Sequence, residues 1–191
     1  MGALAAWWTG LRAALLLARG REEGVRLLDV GPADAMRLAT YSFIAAPICL
    51  PTYTGKSILE WLETGASGPA LHGVAVGVLA LIVGWAGFAI ASHRLAAVLH
   101  RSALWPRFIA LWNWCNVLQN LVMLAALAPV ALGLPEWVDE TVWLVALGWA
   151  LWLEWFATRA ALAISGWPAA GLVALDLAIG LVVQGFADAA G

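Results

Sequence analysis

Several stretches of this chain run for about 20 residues with few or no charged side chains. That is the length an α-helix needs to cross a hydrocarbon core. One of them, "HGVAVGVLALIVGWAGFAIAS" at 72–92, carries no Asp, Glu, Lys or Arg. In lipid every backbone N–H and C=O must be satisfied internally, so such stretches fold as helices. Of the 191 residues, 63% are hydrophobic and 12% charged, about half the charged fraction of a soluble domain. The sequence predicts an all-α integral membrane bundle. No basic tract, zinc-ligand spacing or aromatic-basic patch points to nucleic acid.

Five spans are expected, at about 33–54, 73–99, 106–131, 140–164 and 167–188. They form one domain over 31–191, preceded by a segment over 1–30. That segment, "ALAAWWTGLRAALLLARG", is too short to span, and Arg12 interrupts its apolar run. No basic n-region precedes it and no small-x-small cleavage site follows, so it does not read as a signal peptide. An amphipathic helix lying in the membrane interface is expected, with Trp7 and Trp8 at headgroup level and Arg12, Arg19 and Arg21 toward anionic lipid. Pro47 and Pro51 should kink the first span toward its far end. Ser57 and Glu60 form a capping box that opens a short surface helix, and His72 falls in a loop.

Charge orients the bundle. Arg12, Arg19, Arg21, Arg26, Arg37, Arg94, Arg101, Arg107 and Arg159 fall on one side under the five-span reading. Lys56, Glu60, Glu63, Glu136, Asp139, Glu140 and Asp188 fall on the other. Basic residues gather on the cytoplasmic side of membrane proteins. The N-terminus is therefore expected inside and the C-terminus outside.

Helices in lipid pack through small residues. Gly73, Gly77, Ala80, Gly84, Gly87 and Ala91 share a stripe about 80° wide on the second span. Arg94 sits at its edge and is expected to point into the bundle. Ala150, Ala157 and Ala161 share a face with Glu154, while Arg159 is free to snorkel along lipid over Trp155. On the last span Asp176, Gly180 and Gln184 recur every fourth residue. Gly180 there lets another helix approach.

The third span opens with "LWNWCNVLQN". Asn113, Asn116 and Asn120 fall on one face about 60° wide, with Gln119 on its flank. With Arg94, Glu154, Asp176 and Gln184 they make a candidate intramembrane polar cluster. The amides read as pins that fix helix register. Intramembrane carboxyls are functional candidates by default, either as partners of Arg94 or as a proton or cation relay.

Cys49 and Cys115 lie roughly 10 Å apart in depth, too far for a disulfide, and read as two buried thiols. His93 and His100 have no third ligand at a convincing spacing, so neither metal nor cofactor is expected. The thirteen tryptophans read mostly as interfacial and lipid-facing anchors.

The layout resembles a group of short bacterial inner-membrane proteins similar to the five-helix Yip family. The stretches that carry the likeness are "LLLARGREEGVRLLD", "MRLATYSFIAAPICLP", "LWNWCNVLQNLVML", "EWFATRAALAI" and "AAGLVALDLAIGLV". The resemblance implies a five-helix bundle in the cytoplasmic membrane. Eukaryotic members carry an N-terminal region with an Asp-Leu-Tyr-Gly-Pro motif and bind small GTPases. This chain has no such motif, so that role is not carried over. The expected function is a non-enzymatic scaffold or accessory subunit acting through its helix faces. Its partners would be the bilayer and either a larger membrane complex or further copies of the chain. The alternative is a small transporter or proton- or cation-coupled channel using Glu154 and Asp176. A lipid-modifying enzyme ranks third.

Overall fold

The computed structural model describes the backbone of residues 2–64 and 67–190, and all their side chains except those of 56–71, 188 and 190. The side chains of Ser57 and Glu60, which form the expected capping box, and those of Lys56, Glu63 and Asp188 lie outside the described residues. Every regular element among the described residues is helical. In order these are α1 (Ala3–Leu17), α2 (Glu23–Arg26), α3 (Pro32–Ser42), α4 (Ala45–Thr64), α5 (Ser67–Val98), α6 (Trp105–Ala125), α7 (Ala128–Ala131), α8 (Glu136–Leu162) and α9 (Gly166–Ala190). Four stretches among the described residues are long and apolar enough to cross a membrane: His72–Val98, Ser102–Ala131, Glu136–Leu162 and Gly166–Ala187.

The stretch expected as one span over 33–54 is two helices. It breaks at Phe43–Ile44, in the middle of the stretch and not toward its far end. Pro47 accounts for the position. A proline offers no N–H to the carbonyl four residues back and its ring clashes there; that carbonyl belongs to Phe43. The Phe43 carbonyl instead accepts from the Ala46 N–H at 3.2 Å, closing a tight turn. Pro51 is absorbed inside α4. Around it the Thr52 and Thr54 hydroxyls lie 2.6 and 3.2 Å from the carbonyls of Cys49 and Leu50. The helix then runs unbroken to Thr64, so no separate helix begins at Ser57. His72 lies within α5, not in a loop.

Helix α6 is the centre. From Phe108 to Cys115 every residue is buried, and α1, α3, α4, α5 and α8 all pack on it. A helix apolar on all sides is a core helix. Helix α1 joins the same core through Ala6, Ala13, Ala14 and Leu17. Gly10 lets it lie flat on α6, because a Cβ there would run into the Trp114 ring. Trp7 is half-buried and donates its indole N–H to the Tyr41 carbonyl at 3.0 Å. Trp8 and Arg12 are exposed.

Arg159 is half-buried in the last turn of α8. Its guanidinium lies over the Trp155 ring at 5.4 Å and pairs with Glu22 at 3.0 Å. Arg107 likewise reaches Asp29 at 3.6 Å and donates to the Ala161 carbonyl at 2.6 Å. The N-terminal segment is thus tied by ion pairs to the α6 and α8 ends. Helix α8 closes on Ala163, whose φ of 51° is left-handed; the Ile164 N–H then reaches back to the Arg159 carbonyl.

The expected glycine stripe on α5 does several jobs. At Gly77 a Cβ would sit 2.6 Å from the Tyr53 carbonyl, so this glycine sets the α4–α5 approach. Gly73 is half-buried. Gly87 has ordinary contact with Ile179, at 3.7 Å. Gly84 has no neighbour within 4 Å of the Cβ position. The buried face of α5 is one residue over, at Leu81, Trp85, Phe88, Ser92 and Ala96.

A direct check follows from that division. Gly77→Ala should destabilise the purified protein by roughly 1–3 kcal/mol through overpacking. Gly84→Ala should be neutral or stabilising by up to about 1 kcal/mol through helix propensity. Denaturant unfolding in mixed micelles reads both; equal effects would contradict the close approach at Gly77.

Candidate functional site: a carboxyl pair in a cavity between helices

The amides of α6 are placed by its burial. Asn113, fully enclosed, accepts from the Trp85 indole N–H at 2.6 Å and donates to the Ser42 hydroxyl at 2.7 Å. Ser42 passes its own proton to the Ala39 carbonyl. This chain of bonds ties α5, α6 and α3 with every member satisfied, as buried polar groups require. Gln119 donates to the Ala150 carbonyl of α8 at 2.8 Å. Asn120 bonds back to the Asn116 carbonyl, and its Oδ1 lies 2.6 Å from the Thr52 hydroxyl of α4. Asn116 bonds to the Trp112 carbonyl within its own helix. The amides thus reach four neighbouring helices, α3, α4, α5 and α8.

The carboxyls sit apart from that network. Glu154 on α8 is only 7% exposed, and its carboxyl meets that of Asp176 on α9 at hydrogen-bonding range. Asp176 also accepts from the Trp112 indole N–H at 2.9 Å. Glu154 Oε1 is buried with no hydrogen-bond partner among the described residues. Both acids line a cavity of about 320 Å³ between α4, α5, α6, α8 and α9. Its walls include Tyr53, Trp85, Trp112, Asn116 and Leu177, with Gln184 at an exposed position on α9. Among the described residues no Lys, Arg or His lines it.

Glycine makes the room. Gly84 and Gly180 both line the cavity, and a Cβ at either would meet nothing within 4 Å. Gly180 was expected to admit a neighbouring helix. It opens space beside Asp176 instead.

The structure brings Asn116, Glu154, Asp176, Gln184, Gly84 and Gly180 to one place. It leaves Asn113, Gln119 and Asn120 in packing contacts outside the cavity wall. Arg94 is elsewhere altogether: it is exposed and not turned into the bundle. The reason is angular. Ser92 and Ala96 are the buried positions at that end of α5, and two residues from each is about 200° around the helix. Arg94 is therefore not the counter-charge of either acid.

Three tryptophans also depart from the anchor reading: Trp85, Trp112 and Trp114 are buried at the centre. Trp112 stacks on Phe88 at 4.6 Å and meets Trp85 edge-on at 5.2 Å. Their signal in the sequence is depth. An indole N–H in mid-span needs an acceptor, and Asn113 and Asp176 lie at matching heights on neighbouring helices. Cys49 and Cys115 are free and buried. Among the described residues no group of three His, Cys, Asp or Glu side chains is placed to hold a metal ion.

Asn113→Leu strands the Trp85 N–H and removes the donor to Ser42, so it should cost roughly 1–3 kcal/mol in unfolding free energy. Arg94→Gln should stay within about 0.5 kcal/mol of the parent. A large loss at Arg94 would mean the guanidinium is buried after all. No protein-family model, curated protein or solved structure matches this chain, so the functional reading rests on the geometry of the carboxyl pair and its cavity.

Proposed function

We propose that the protein is a small multi-pass membrane carrier or channel that binds a proton or another monovalent cation at the Glu154–Asp176 pair. One observation carries this reading: two carboxyl groups meet in a cavity whose walls, among the described residues, hold no basic side chain. A hydrogen bond between two carboxyls contains a proton, and the same place accepts another cation once that proton leaves. An acid held inside a membrane bundle marks an ion or substrate path by default. The described wall residues supply no basic counter-charge, which favours exchange over a permanent ion pair.

In this reading the chain crosses the membrane five times, with α3 and α4 together forming a broken first crossing. Helix α4 has 20 residues, about 30 Å of helix. Helix α1 lies at the interface, the N-terminus is cytoplasmic and the C-terminus periplasmic, as the arginine distribution requires. The Yip-like resemblance agrees with the layout and lends no activity.

A second reading has its own support. The satisfied Trp85–Asn113–Ser42 chain and the Gln119–Ala150 bond hold helices in one register, as suits a non-enzymatic scaffold or accessory subunit in a larger complex.

Reconstitution separates the two. Vesicles containing the purified chain and an internal pH dye should acidify under an imposed potential, interior negative. Glu154→Gln and Asp176→Asn should each lower that rate at least tenfold while leaving the unfolding midpoint near the parent's. Parent-like flux from both variants would sink the carrier reading. No flux from the parent, with a stoichiometric protein partner in native mass spectrometry, would favour the scaffold.

A further inference from the structure

The cavity says more about its cargo than the sign of the charge. Building on the carboxyl pair as a cation site, we propose that the cavity binds a small organic ammonium ion, a primary amine bearing an aryl or alkyl group.

The buried Glu154 Oε1, which has no partner, lies on a side chain that lines the cavity. An unsatisfied buried acceptor is destabilising, and an R–NH₃⁺ group supplies both the missing N–H donor and the balancing charge. Around the acids stand Tyr53, Trp85 and Trp112. Aromatic rings attract a cation within about 6 Å of their centroids. The Trp112 ring is fixed in place by its bond to Asp176 and its stacking on Phe88.

A bare metal ion suits the same space poorly. A hard divalent cation takes about six or more oxygen ligands, and the acidic oxygens here come from two side chains. The volume of about 320 Å³ falls at the lower end of small-molecule sites, about 300–1,000 Å³, and far exceeds an unhydrated ion. Leu151 and Leu177 on the wall offer contact to a hydrocarbon group that an inorganic ion does not have. Gly84 and Gly180 leave the room it would fill.

The experiment uses radiolabelled benzylammonium in equilibrium dialysis against the full chain in detergent at neutral pH. Saturable binding of one amine per chain is expected. Unlabelled benzylammonium should displace it, whereas benzyl alcohol or potassium chloride at the same concentration should not. Glu154→Gln and Asp176→Asn should each weaken binding at least tenfold. Gly180→Leu keeps both acids, adds bulk where a Cβ meets nothing within 4 Å, and should abolish binding without lowering the unfolding midpoint.

Absence of saturable binding by the parent would overturn the proposal. So would equal competition by benzyl alcohol, displacement by potassium, or parent-like binding in the carboxyl variants. If the amine fails while carboxyl-dependent proton flux persists, the choice of cargo falls and the cation site stands. If neither binding nor flux depends on the two acids, both fall.

Discussion

A polar side chain on a helix that is buried all round must find its partner inside the protein. Helix α6 imposes that condition on the whole bundle. From Phe108 to Cys115 nothing on it reaches the surface, so Trp112 and Asn113 are committed to partners on neighbouring helices. Asn113 draws in Trp85 and Ser42, and Trp112 draws in Asp176. Each bond between membrane helices contributes only about 1 kcal/mol. Their joint effect is positional: they fix α3, α5 and α9 at one rotation about α6, and that rotation delivers Asp176 to Glu154.

The cavity is the complement of this packing. Small residues close the gap where helices must touch, as Gly10 does beneath Trp114 and Gly77 beside Tyr53. At Gly84 and Gly180 no neighbour comes within 4 Å of the Cβ position, and the missing side chains leave open volume. The same residue type therefore serves as glue and as void within one helix, α5. The acids stand where the void is, with Asn116 and Gln184 on the same wall, while Asn113, Gln119 and Asn120 stand where helices touch.

Much of the layout was legible in the sequence, because apolar run length maps onto helix length almost without tertiary help. Helices α5, α8 and α9, and α6 followed after a turn by the short α7, cover the four later stretches expected to span. The meeting of Glu154 and Asp176 was legible as equal depth on adjacent helices, and the Arg159–Trp155 contact as a separation of one turn. The break before Pro47 was misplaced because a proline acts on the carbonyl four residues back, at Phe43, as well as on its own position. Arg94 was misdirected because the small-residue stripe of α5 was taken for its buried face, whereas Trp85 and Phe88 define that face. The buried tryptophans were hidden by their usual place at the interface. Only their partners, on helices far away in sequence, bring them inside. Gly10 under Trp114 had no local signal at all.

The central claim is an acidic cavity, open to small cations, built around the Glu154–Asp176 pair. Thiol labelling of Gly180→Cys tests it most directly, with Cys49 and Cys115 replaced by alanine and the protein in liposomes. A cationic thiosulfonate reagent should label this site faster than an anionic reagent of similar size, and that preference should vanish when both acids are neutralised. Absence of labelling, or a charge preference that survives Glu154→Gln with Asp176→Asn, would contradict the account.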